Sequence, residues 1–219
     1  MVIFMYKGII FDLDGTLLNT LGDLTNAVNH VCVKFGFETH SIDEVRSFVG
    51  SGIRNLISRV VPNGFENEIF EDAMKEFENF YAENVCVETY PYEDVLNTLK
   101  SLKENNIKMC IVSNKRQSLI NKLYEIFFVN LIEFAYGEDE ANGIIKKPNP
   151  MMIDLSLSRL GLDKEEVLYV GDSNVDKKTA DNSSLDCCLV TYGFRSKEEL
   201  SSLNSKYLFD SIKELLNIL

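Results

Sequence analysis

The chain carries two kinds of hydrophobic pattern: short continuous apolar runs, and longer stretches in which apolar residues recur at helical spacing. Continuous apolar runs bounded by polar turns are typical of strands that are buried on both faces of a parallel sheet. Candidate strands of this kind lie at residues 6–11, 107–112, 134–136, 167–170 and 187–190. The helical spacing between them predicts an α/β fold, with a mostly parallel, Rossmann-like sheet covered by helices on both faces.

The segment between the first and second candidate strands shows only helical periodicity. Apolar residues recur at helical spacing over residues 24–35, 53–61 and 66–84. Ser41 opens a capping-box signature, which predicts a further short helix after it. This segment is therefore expected to be all-helical.

These patterns divide the chain into two predicted domains. Residues 1–16 and 87–219 form a Rossmann-like core, and residues 17–86 form a helical cap that is inserted after the first strand. Pro91 suits the first turn of the core helix that follows the insertion. A helical insertion at this point is placed to act as a lid over the end of the first strand.

Composition and charge narrow the function classes. The chain has 219 residues, of which 45% are hydrophobic and 26% are charged, as in ordinary globular proteins. A net charge of −12 makes nucleic acid and anionic membranes unfavourable partners. No apolar run approaches the ~20 residues of a membrane span. Residues 1–6 are apolar but lack the basic start and the cleavage site of a signal peptide.

The cysteines indicate the compartment. They are Cys32, Cys86, Cys110, Cys187 and Cys188, and their spacing is not that of zinc ligands. Cys187 and Cys188 are adjacent within an apolar run, which favours buried thiols. Free thiols fit a reducing environment, so we expect a cytoplasmic protein.

The candidate chemistry begins at Asp12 and Asp14, where the first apolar strand ends. Two carboxylates at a strand tip are costly unless a cation or hydrogen-bond donors neutralise them. We therefore predict a magnesium site in which one carboxylate acts as a nucleophile. A solvated acid in an Asp-Gly turn is the plainer interpretation of the same residues.

Three further polar clusters stand at element boundaries on the same side of the predicted sheet. They are Ser113 with Asn114, Lys147, and Asp172 with Asp176. Each cluster by itself also fits an ordinary loop, turn or helix cap. Because the carboxyl ends of parallel strands share one edge, all of these side chains are expected to converge there. Acids, a hydroxyl and a lysine in one place favour phosphoryl transfer.

With these residues in place, the chain resembles the haloacid dehalogenase-like phosphatases over essentially its whole length. The motifs that carry the resemblance are Asp12-Leu13-Asp14-Gly15-Thr16, Ser113 after an apolar strand, Lys147-Pro148, and Gly171-Asp172 with Asp176. Within that family the chain is similar to the phosphoglycolate phosphatases. The stretches that support this subgroup are Val49-Gly50-Ser51-Gly52, Lys147-Pro148-Asn149-Pro150 and Tyr192-Gly193-Phe194-Arg195.

The resemblance implies catalytic and metal-binding roles. Asp12 would be the nucleophile that forms an aspartyl-phosphate. Asp14 would be the general acid that protonates the leaving alcohol, and then the base that activates water. Mg²⁺ would bind Asp12, the backbone carbonyl of Asp14 and Asp172.

The resemblance also implies which groups surround these acids. Ser113, Lys147 and the backbone N–H of Asn114 would hold phosphate oxygens. Asp176 would orient Lys147 or metal-bound water, and Thr16 would lie behind the catalytic residues. In the cap, Gly50, Gly52 and Arg54 form the loop that is expected to set specificity, although Arg54 also fits a solvated helix residue.

Two alternatives remain open at this stage. A β-phosphoglucomutase-like phosphosugar mutase uses the same pair of acids, and Arg54 would then anchor a sugar phosphate. A phospho-acceptor signalling module also uses an acidic pocket, magnesium, a hydroxyl and a lysine. In that module the phosphorylated aspartate follows a later strand and there is no helical insertion, which disfavours it here.

We therefore expect a Mg²⁺-dependent phosphatase that acts on a small phosphorylated metabolite such as phosphoglycolate. A lid directly over the site leaves little room for a folded macromolecule. Neither nucleic acid nor membrane is an expected partner, and the sequence leaves open whether the chain is a monomer or a homodimer.

Overall fold

The computed structural model describes residues 6–50 and 52–218, which form two compact units. The first unit runs to Leu18 and resumes at Pro91, and the second comprises Asn19–Tyr90. The predicted domain borders, after residue 16 and before residue 87, lie two and four residues from these points. The expectations for the amino terminus before Tyr6 and for Ser51 in the cap loop lie outside the described residues.

The first unit is built around a parallel sheet. The strands, in chain order, are β1 (Gly8–Phe11), β2 (Leu18–Asn19), β3 (Tyr90–Pro91), β4 (Lys108–Arg116), β5 (Phe134–Glu138), β6 (Val167–Gly171), β7 (Asp186–Val190) and β8 (Tyr207–Phe209). Six of them form one sheet in the order β5-β4-β1-β6-β7-β8, and each neighbouring pair is parallel. The predicted fold class is confirmed.

Helices cover both faces of this sheet and make up most of the second unit. The α-helices, in chain order, are α1 (Leu21–Phe35), α2 (Ile42–Phe48), α3 (Ile53–Val60), α4 (Phe70–Glu83), α5 (Val95–Glu104), α6 (Gln117–Phe127), α7 (Met151–Leu160), α8 (Asn174–Ser183) and α9 (Lys197–Ser201). On one face, Ile10 and Tyr169 share a core cluster with Met152 of α7. Ile9 and Phe11 alternate with Ile10 toward the other face, where they are equally buried.

The position of β1 determines where the site lies. β1 is in the centre of the sheet, with β4 on one side and β6 on the other. The chain runs outward from β1 through β4 to β5, and then returns to β6 and runs outward on the other side. Ligands of open parallel sheets bind beyond the carboxyl ends of the strands where the strand order reverses in this way.

Two local predictions are corrected. Pro91 lies in β3, which pairs with β2, and not in the first turn of a helix. The helix starts only at Val95, because Asp94 has a left-handed backbone (φ 65°) that helical geometry does not continue through. The helix predicted over 66–84 starts at Phe70, after a turn in which the Asn67 side chain accepts a hydrogen bond from the Ile69 N–H at 3.0 Å.

A buried carboxylate organises the second unit. Asp23 in the first turn of α1 is 1% exposed. It accepts hydrogen bonds from the backbone N–H groups of Val87, Glu88 and Thr89 at 3.1, 2.9 and 2.9 Å, and from the Thr89 hydroxyl at 2.7 Å. These bonds tie the end of the unit to its first helix, and they satisfy the N–H and the hydroxyl of Thr89, which would otherwise be buried without partners.

The cysteines are free thiols, as expected. Cys32, Cys110, Cys187 and Cys188 are buried, while Cys86 is half-buried. Burial raises the pKa of Cys110 to about 12, so this thiol is unreactive at neutral pH. Within residues 6–50 and 52–218, no helix has both the length and the apolar composition that crossing a bilayer demands.

Candidate active site

Asp12 lies at the switch in strand order. It follows β1 directly, and its backbone N–H donates a hydrogen bond to the Val170 carbonyl of β6 at 2.8 Å. Its residue exposure is 7%, so the carboxylate reaches the carboxyl edge of the sheet within a largely desolvated environment. The first strand therefore delivers its acid to the place that the sequence predicts.

Lys147 places a buried positive charge beside Asp12. Its ammonium donates hydrogen bonds to Asp12 Oδ1 at 2.7 Å, to Asp176 Oδ1 at 2.8 Å and to the Tyr169 hydroxyl at 3.0 Å. Burial alone would lower the pKa of Lys147, but the two carboxylates raise it above its ordinary value. The side chain therefore remains a positive charge within the site at neutral pH.

Asp176 is held on both of its carboxylate oxygens. Oδ1 accepts hydrogen bonds from Lys147 and, at 2.9 Å, from the Tyr169 hydroxyl. Oδ2 accepts hydrogen bonds from the Ser173 hydroxyl at 2.6 Å and from the Asp172 N–H at 3.2 Å. Burial opposes ionisation, but the charge and hydrogen bond of Lys147 hold the pKa of Asp176 below its ordinary value. Asp176 is thus an ionised residue whose partners are already in place.

Asp172 lies in a tight cradle of backbone. Its Oδ2 accepts a hydrogen bond from the Phe194 N–H at 2.7 Å. A Cβ atom on Gly15 would lie 2.2 Å from the same oxygen, and one on Gly193 would lie 2.5 Å from it. Only glycine at these two positions lets the chain approach the carboxylate so closely. Burial, followed by the charges of Asp176 and Asp12, raises the pKa of Asp172 well above its ordinary value.

The donor set fits a hard divalent cation. Carboxylate oxygens of Asp12, Asp172 and Asp176 all lie within 4.8 Å of one another. Burial raises the pKa of Asp12 to about 7, a change that Lys147 opposes and Asp176 increases. A divalent cation would neutralise the negative charges of these two buried carboxylates, whose pKa values are raised without it. Oxygen atoms are the ligands that Mg²⁺ prefers. Because the partners of Asp176 are already protein donors, Asp12 and Asp172 are the better direct ligands.

Asp14 has a partner that the sequence analysis did not assign. The Lys115 ammonium lies 2.8 Å from Asp14 Oδ1, and the two side chains are 4% and 16% exposed. β4 continues to Arg116 and does not end at residue 112, so Lys115 projects from the same strand end as Ser113. The sequence signal for Lys115 was its position two residues after Ser113, because alternate residues of a strand share a face.

Ser113 and Asn114 occupy the end of β4. Ser113 is 2% exposed, and its hydroxyl accepts a hydrogen bond from the Lys115 N–H at 3.2 Å. The Asn114 amide accepts from the Lys147 N–H at 2.6 Å and donates to the Lys147 carbonyl at 3.1 Å. The Asn114 side chain thus clamps the backbone that presents Lys147, and a role of its backbone N–H in phosphate binding stays a prediction.

Thr16 is fully buried in the loop after Asp14. Its carbonyl accepts a hydrogen bond from the Tyr192 hydroxyl at 2.9 Å. Its own hydroxyl has no hydrogen-bond partner within the described part of the chain. The observed contact of Thr16 is therefore made by its backbone, which fixes the loop that carries Gly15 against Asp172.

The predicted specificity residues belong to the second unit. Gly50 and Gly52 have left-handed backbones (φ 120° and 88°), and α3 starts directly after Gly52. Arg54 donates hydrogen bonds to both carboxylate oxygens of Glu71, at 2.7 and 3.1 Å, and its guanidinium lies 4.9 Å from the centre of the Phe70 ring. Arg54 is therefore ion-paired on the surface of the second unit, and its part in substrate recognition stays a prediction.

Comparisons with known proteins bear on this geometry. A model of the family described as haloacid dehalogenase-like hydrolase matches residues 9–190. Phosphoglycolate phosphatase 1 of Pseudomonas aeruginosa is 30% identical over 214 residues, which cover 95% of this chain and 78% of that protein. Phosphoglycolate phosphatase of Aquifex aeolicus is 32% identical over 187 residues, which cover 85% of each chain.

The fold has a close counterpart among solved structures. A crystal structure from Lactobacillus delbrueckii subsp. bulgaricus, of a protein provisionally named a phosphoglycolate phosphatase, superposes with a TM-score of 0.93. The superposition covers 98% of this chain and 99% of that one at 29% identity.

Proposed function

We propose the function of this chain from its family, because the chain belongs to the haloacid dehalogenase-like hydrolases and is a phosphatase. The reaction that we propose is Mg²⁺-dependent hydrolysis of a small phosphomonoester through an aspartyl-phosphate on Asp12. The observation that carries the proposal is the buried Asp12 carboxylate, which lies 2.7 Å from the Lys147 ammonium and beside the carboxylates of Asp172 and Asp176.

Phosphoglycolate is the leading substrate of this proposal. The relatives of Pseudomonas aeruginosa and Aquifex aeolicus are named as phosphatases of that ester. Because these relatives are named as phosphatases, we favour hydrolysis over the phosphosugar mutase and the signalling module. Gly50, Gly52 and Arg54 are proposed to contribute to the choice of ester. A cytoplasmic location and a monomeric or homodimeric state belong to the same proposal.

In the first step, a carboxylate oxygen of Asp12 attacks the phosphorus of the ester. The new bond joins Asp12 to phosphorus, and the bond between phosphorus and the ester oxygen breaks. The departing oxygen takes a proton from the Asp14 carboxyl group and leaves as an alcohol. The Asp14 side chain is the more exposed of the two acids, which suits a group that meets the leaving alcohol and then water.

In the second step, Asp14 accepts a proton from a water molecule as that water attacks the phosphorus. The bond between Asp12 and phosphorus breaks, inorganic phosphate leaves, and both carboxyl groups return to their starting states. Each aspartate thus acts twice, which divides one difficult displacement into two easier ones.

Lys147, Ser113 and backbone N–H groups would stabilise the transferring phosphoryl group. Lys147 already contacts Asp12, so its charge is placed beside the phosphorus during attack. Ser113 offers a buried hydroxyl at the neighbouring strand end. Asn114 and Asp176 fix the backbone and the ammonium of Lys147, which preorganises this charge.

Asp12 and Asp172, with the backbone carbonyl of Asp14, would hold the magnesium ion. When bound, Mg²⁺ supplies positive charge that neutralises the phosphoryl oxygens as the bond to the leaving group breaks. The backbone around Gly15, Gly193 and Phe194 fixes the Asp172 carboxylate for this purpose.

The proposal is tested by measuring phosphate release from a panel of small phosphomonoesters, with Mg²⁺ or with EDTA. The intact chain should release phosphate only with Mg²⁺, and Asp12→Asn should release almost none. Asp210→Asn is the matched control, because Asp210 is an exposed aspartate paired with Lys197, and it should retain full activity. Undiminished release in EDTA would contradict the metal assignment, and an active Asp12→Asn would contradict the nucleophile.

A further inference from the structure

A second buried lysine in the core unit stands beside the proposed general acid. The Lys115 ammonium contacts Asp14 at 2.8 Å, whereas Lys147 contacts the nucleophile at 2.7 Å. With the roles proposed above, in which Asp12 attacks and Asp14 protonates the leaving group, Lys147 accompanies the attacking group and Lys115 accompanies the departing group. The phosphoryl group has a cation in Lys147, which leaves the role of Lys115 unexplained.

The backbone of Lys115 is held in place. Its N–H donates a hydrogen bond to the Ser113 hydroxyl, and its carbonyl lies so close to Gly137 that a Cβ atom there would approach it to 2.5 Å. The Gly137 N–H donates to the Gln117 side chain at 2.7 Å, which fixes the neighbouring strand against the same point. These contacts fix the backbone from which the side chain starts, and the contact with Asp14 fixes the ammonium at its end. A buried ammonium held at both ends is preorganised, and so it is suited to recognise a ligand.

We propose that Lys115 is a specificity-determining residue that selects phosphomonoesters whose leaving group carries a carboxylate next to the ester oxygen. This inference rests on the proposed function, because it assumes that Asp14 meets the ester oxygen. It deepens that function by assigning the recognised chemical class, phosphorylated short hydroxy acids, to a residue of the core unit.

The chemistry of the leaving group supports this assignment. A general acid must be within hydrogen-bond distance of the oxygen that it protonates. In an ester such as phosphoglycolate, a single methylene separates that oxygen from the carboxylate. A cation that contacts Asp14 is therefore also within reach of that carboxylate. An ammonium has three donors and can hold the acid and a substrate carboxylate together.

The charge of the site points the same way. The carboxylates of Asp12, Asp172 and Asp176 lie together in the site and would repel an additional negative group on the leaving side. Lys115 offsets that repulsion at Asp14, where the additional carboxylate would lie. A charge-assisted hydrogen bond between buried groups is among the stronger polar contacts, so its loss should be measurable.

The competing explanation is that Lys115 only holds Asp14 in place. In that case its removal slows every substrate by the same factor, since Asp14 acts on all of them. If Lys115 binds the substrate carboxylate, its removal penalises anionic leaving groups more than neutral ones. The ratio of the two rates separates these explanations, whatever the loss in absolute activity.

The experiment compares kcat/KM for phosphoglycolate, neutral ethyl phosphate and cationic 2-aminoethyl phosphate. The intact protein should prefer them in that order. In Lys115→Met, the preference for phosphoglycolate over ethyl phosphate should fall by roughly 10- to 100-fold, the factor that one charge-assisted hydrogen bond contributes. Lys115→Arg should retain a preference for the anionic ester.

Lys206→Met is the matched control. Lys206 also pairs with an aspartate, Asp186, at the amino end of β7, and its removal should leave the preference unchanged. An intact protein that hydrolyses ethyl phosphate as well as phosphoglycolate would overturn the inference without any variant. So would a Lys115→Met protein with an unchanged ratio. Absence of phosphate release from every ester would overturn the proposed function as well.

Discussion

Lys147 and Asp176 form a buried ion pair at 2.8 Å, and the same ammonium contacts Asp12 at 2.7 Å. Asp176 therefore acts on the nucleophile through Lys147. The Tyr169 hydroxyl contacts both partners, accepting from Lys147 at 3.0 Å and donating to Asp176 at 2.9 Å. This arrangement makes Tyr169 a positioning residue, although it lies within a core strand.

Tyr169→Phe should reduce kcat with little change in KM. The ring still fills its place in the core, but Lys147 and Asp176 each lose a hydrogen-bond partner. We expect kcat to fall by roughly 10-fold, because small displacements of a catalytic group are costly. Stability should fall by about 1 kcal/mol, the usual contribution of one buried hydrogen bond. Steady-state kinetics and urea unfolding measure the two effects.

Tyr124→Phe is the control for this variant. The Tyr124 hydroxyl donates to the Ile132 carbonyl at 2.6 Å, so its loss should cost similar stability without lowering kcat. Equal kcat values in Tyr169→Phe and the intact protein would contradict the positioning role.

Gly193→Ala should weaken magnesium binding without removing a ligand. The added methyl group would lie 2.4 Å from Asp172 Cβ and 2.4 Å from the Gly15 carbonyl oxygen, so Asp172 must move. Disturbing the support of a metal ligand typically costs about 10- to 100-fold in metal affinity. The Mg²⁺ concentration that gives half-maximal activity should rise by a similar factor.

Gly8→Ala is the control for Gly193→Ala, because it also adds a crowded methyl group but at the opposite end of the sheet. Its methyl group would lie 2.4 Å from Leu162 Cδ1, which is remote from the acids. It should reduce stability but leave the Mg²⁺ requirement unchanged. An unaltered Mg²⁺ requirement in Gly193→Ala would contradict the assignment of Asp172.

Asp23→Ala should strongly destabilise the second unit. The change leaves three backbone N–H groups and one hydroxyl without their acceptor. We expect a loss of about 3 kcal/mol or more in the free energy of unfolding, measured with urea. Glu68→Ala, at an exposed position of the same unit, should change it by less than about 0.5 kcal/mol. Equal effects of the two changes would refute this role of Asp23.

The raised pKa of Asp12 predicts how stability depends on pH without metal. A carboxyl group whose pKa rises from 3.8 to about 7 on folding binds its proton more tightly in the folded state. Its contribution to stability is therefore complete below pH 3.8 and is lost as the pH rises through about 7. Acids with lowered pKa values, such as Asp176 and Asp186, change stability in the opposite direction. The contribution of Asp12 is therefore measured as the difference in stability between the intact protein and Asp12→Asn.

In EDTA, the intact protein should lose stability relative to Asp12→Asn as the pH rises from about 5 to about 8. Urea unfolding at several pH values measures that difference. Added Mg²⁺ should increase the stability of the intact protein most strongly near pH 8, the upper end of this range. A difference that does not change with pH would contradict the raised pKa.

Most of the fold followed from periodicity. The continuous apolar runs predicted five of the six strands of the large sheet, whereas β8 and the two-residue strands β2 and β3 were not predicted. Gly36 and Gly161 end helices in left-handed conformations where helical spacing stops. α8 gave no such signal, because its buried positions include small and polar residues such as Thr179 and Ser183. A hydrophobic stripe cannot reveal a helix that packs in this way.

The site residues were predictable where a motif stands at a strand end, as at Asp12 and Asp172. The spacing from Ser113 could have placed Lys115 at the same strand end, but neither its pairing with Asp14 nor the role of Asp23 was predictable, because each depends on a partner distant in the chain. Lys115 pairs with Asp14, 101 residues away, and Asp23 accepts from backbone groups 64 to 66 residues away. Local pattern specifies an element and its ends, but it does not specify which groups meet across the fold.

The most direct test of the account is to trap the phosphorylated enzyme. The protein is mixed with its best ester and Mg²⁺, quenched in acid during turnover and digested, and each peptide is examined by mass spectrometry. We predict a phosphoryl group on the peptide that contains Asp12, lost on longer incubation, and none in Asp12→Asn. Steady release of phosphate with no phosphorylated Asp12 at any quench time, or an Asp12→Asn variant that keeps its rate, would contradict the account.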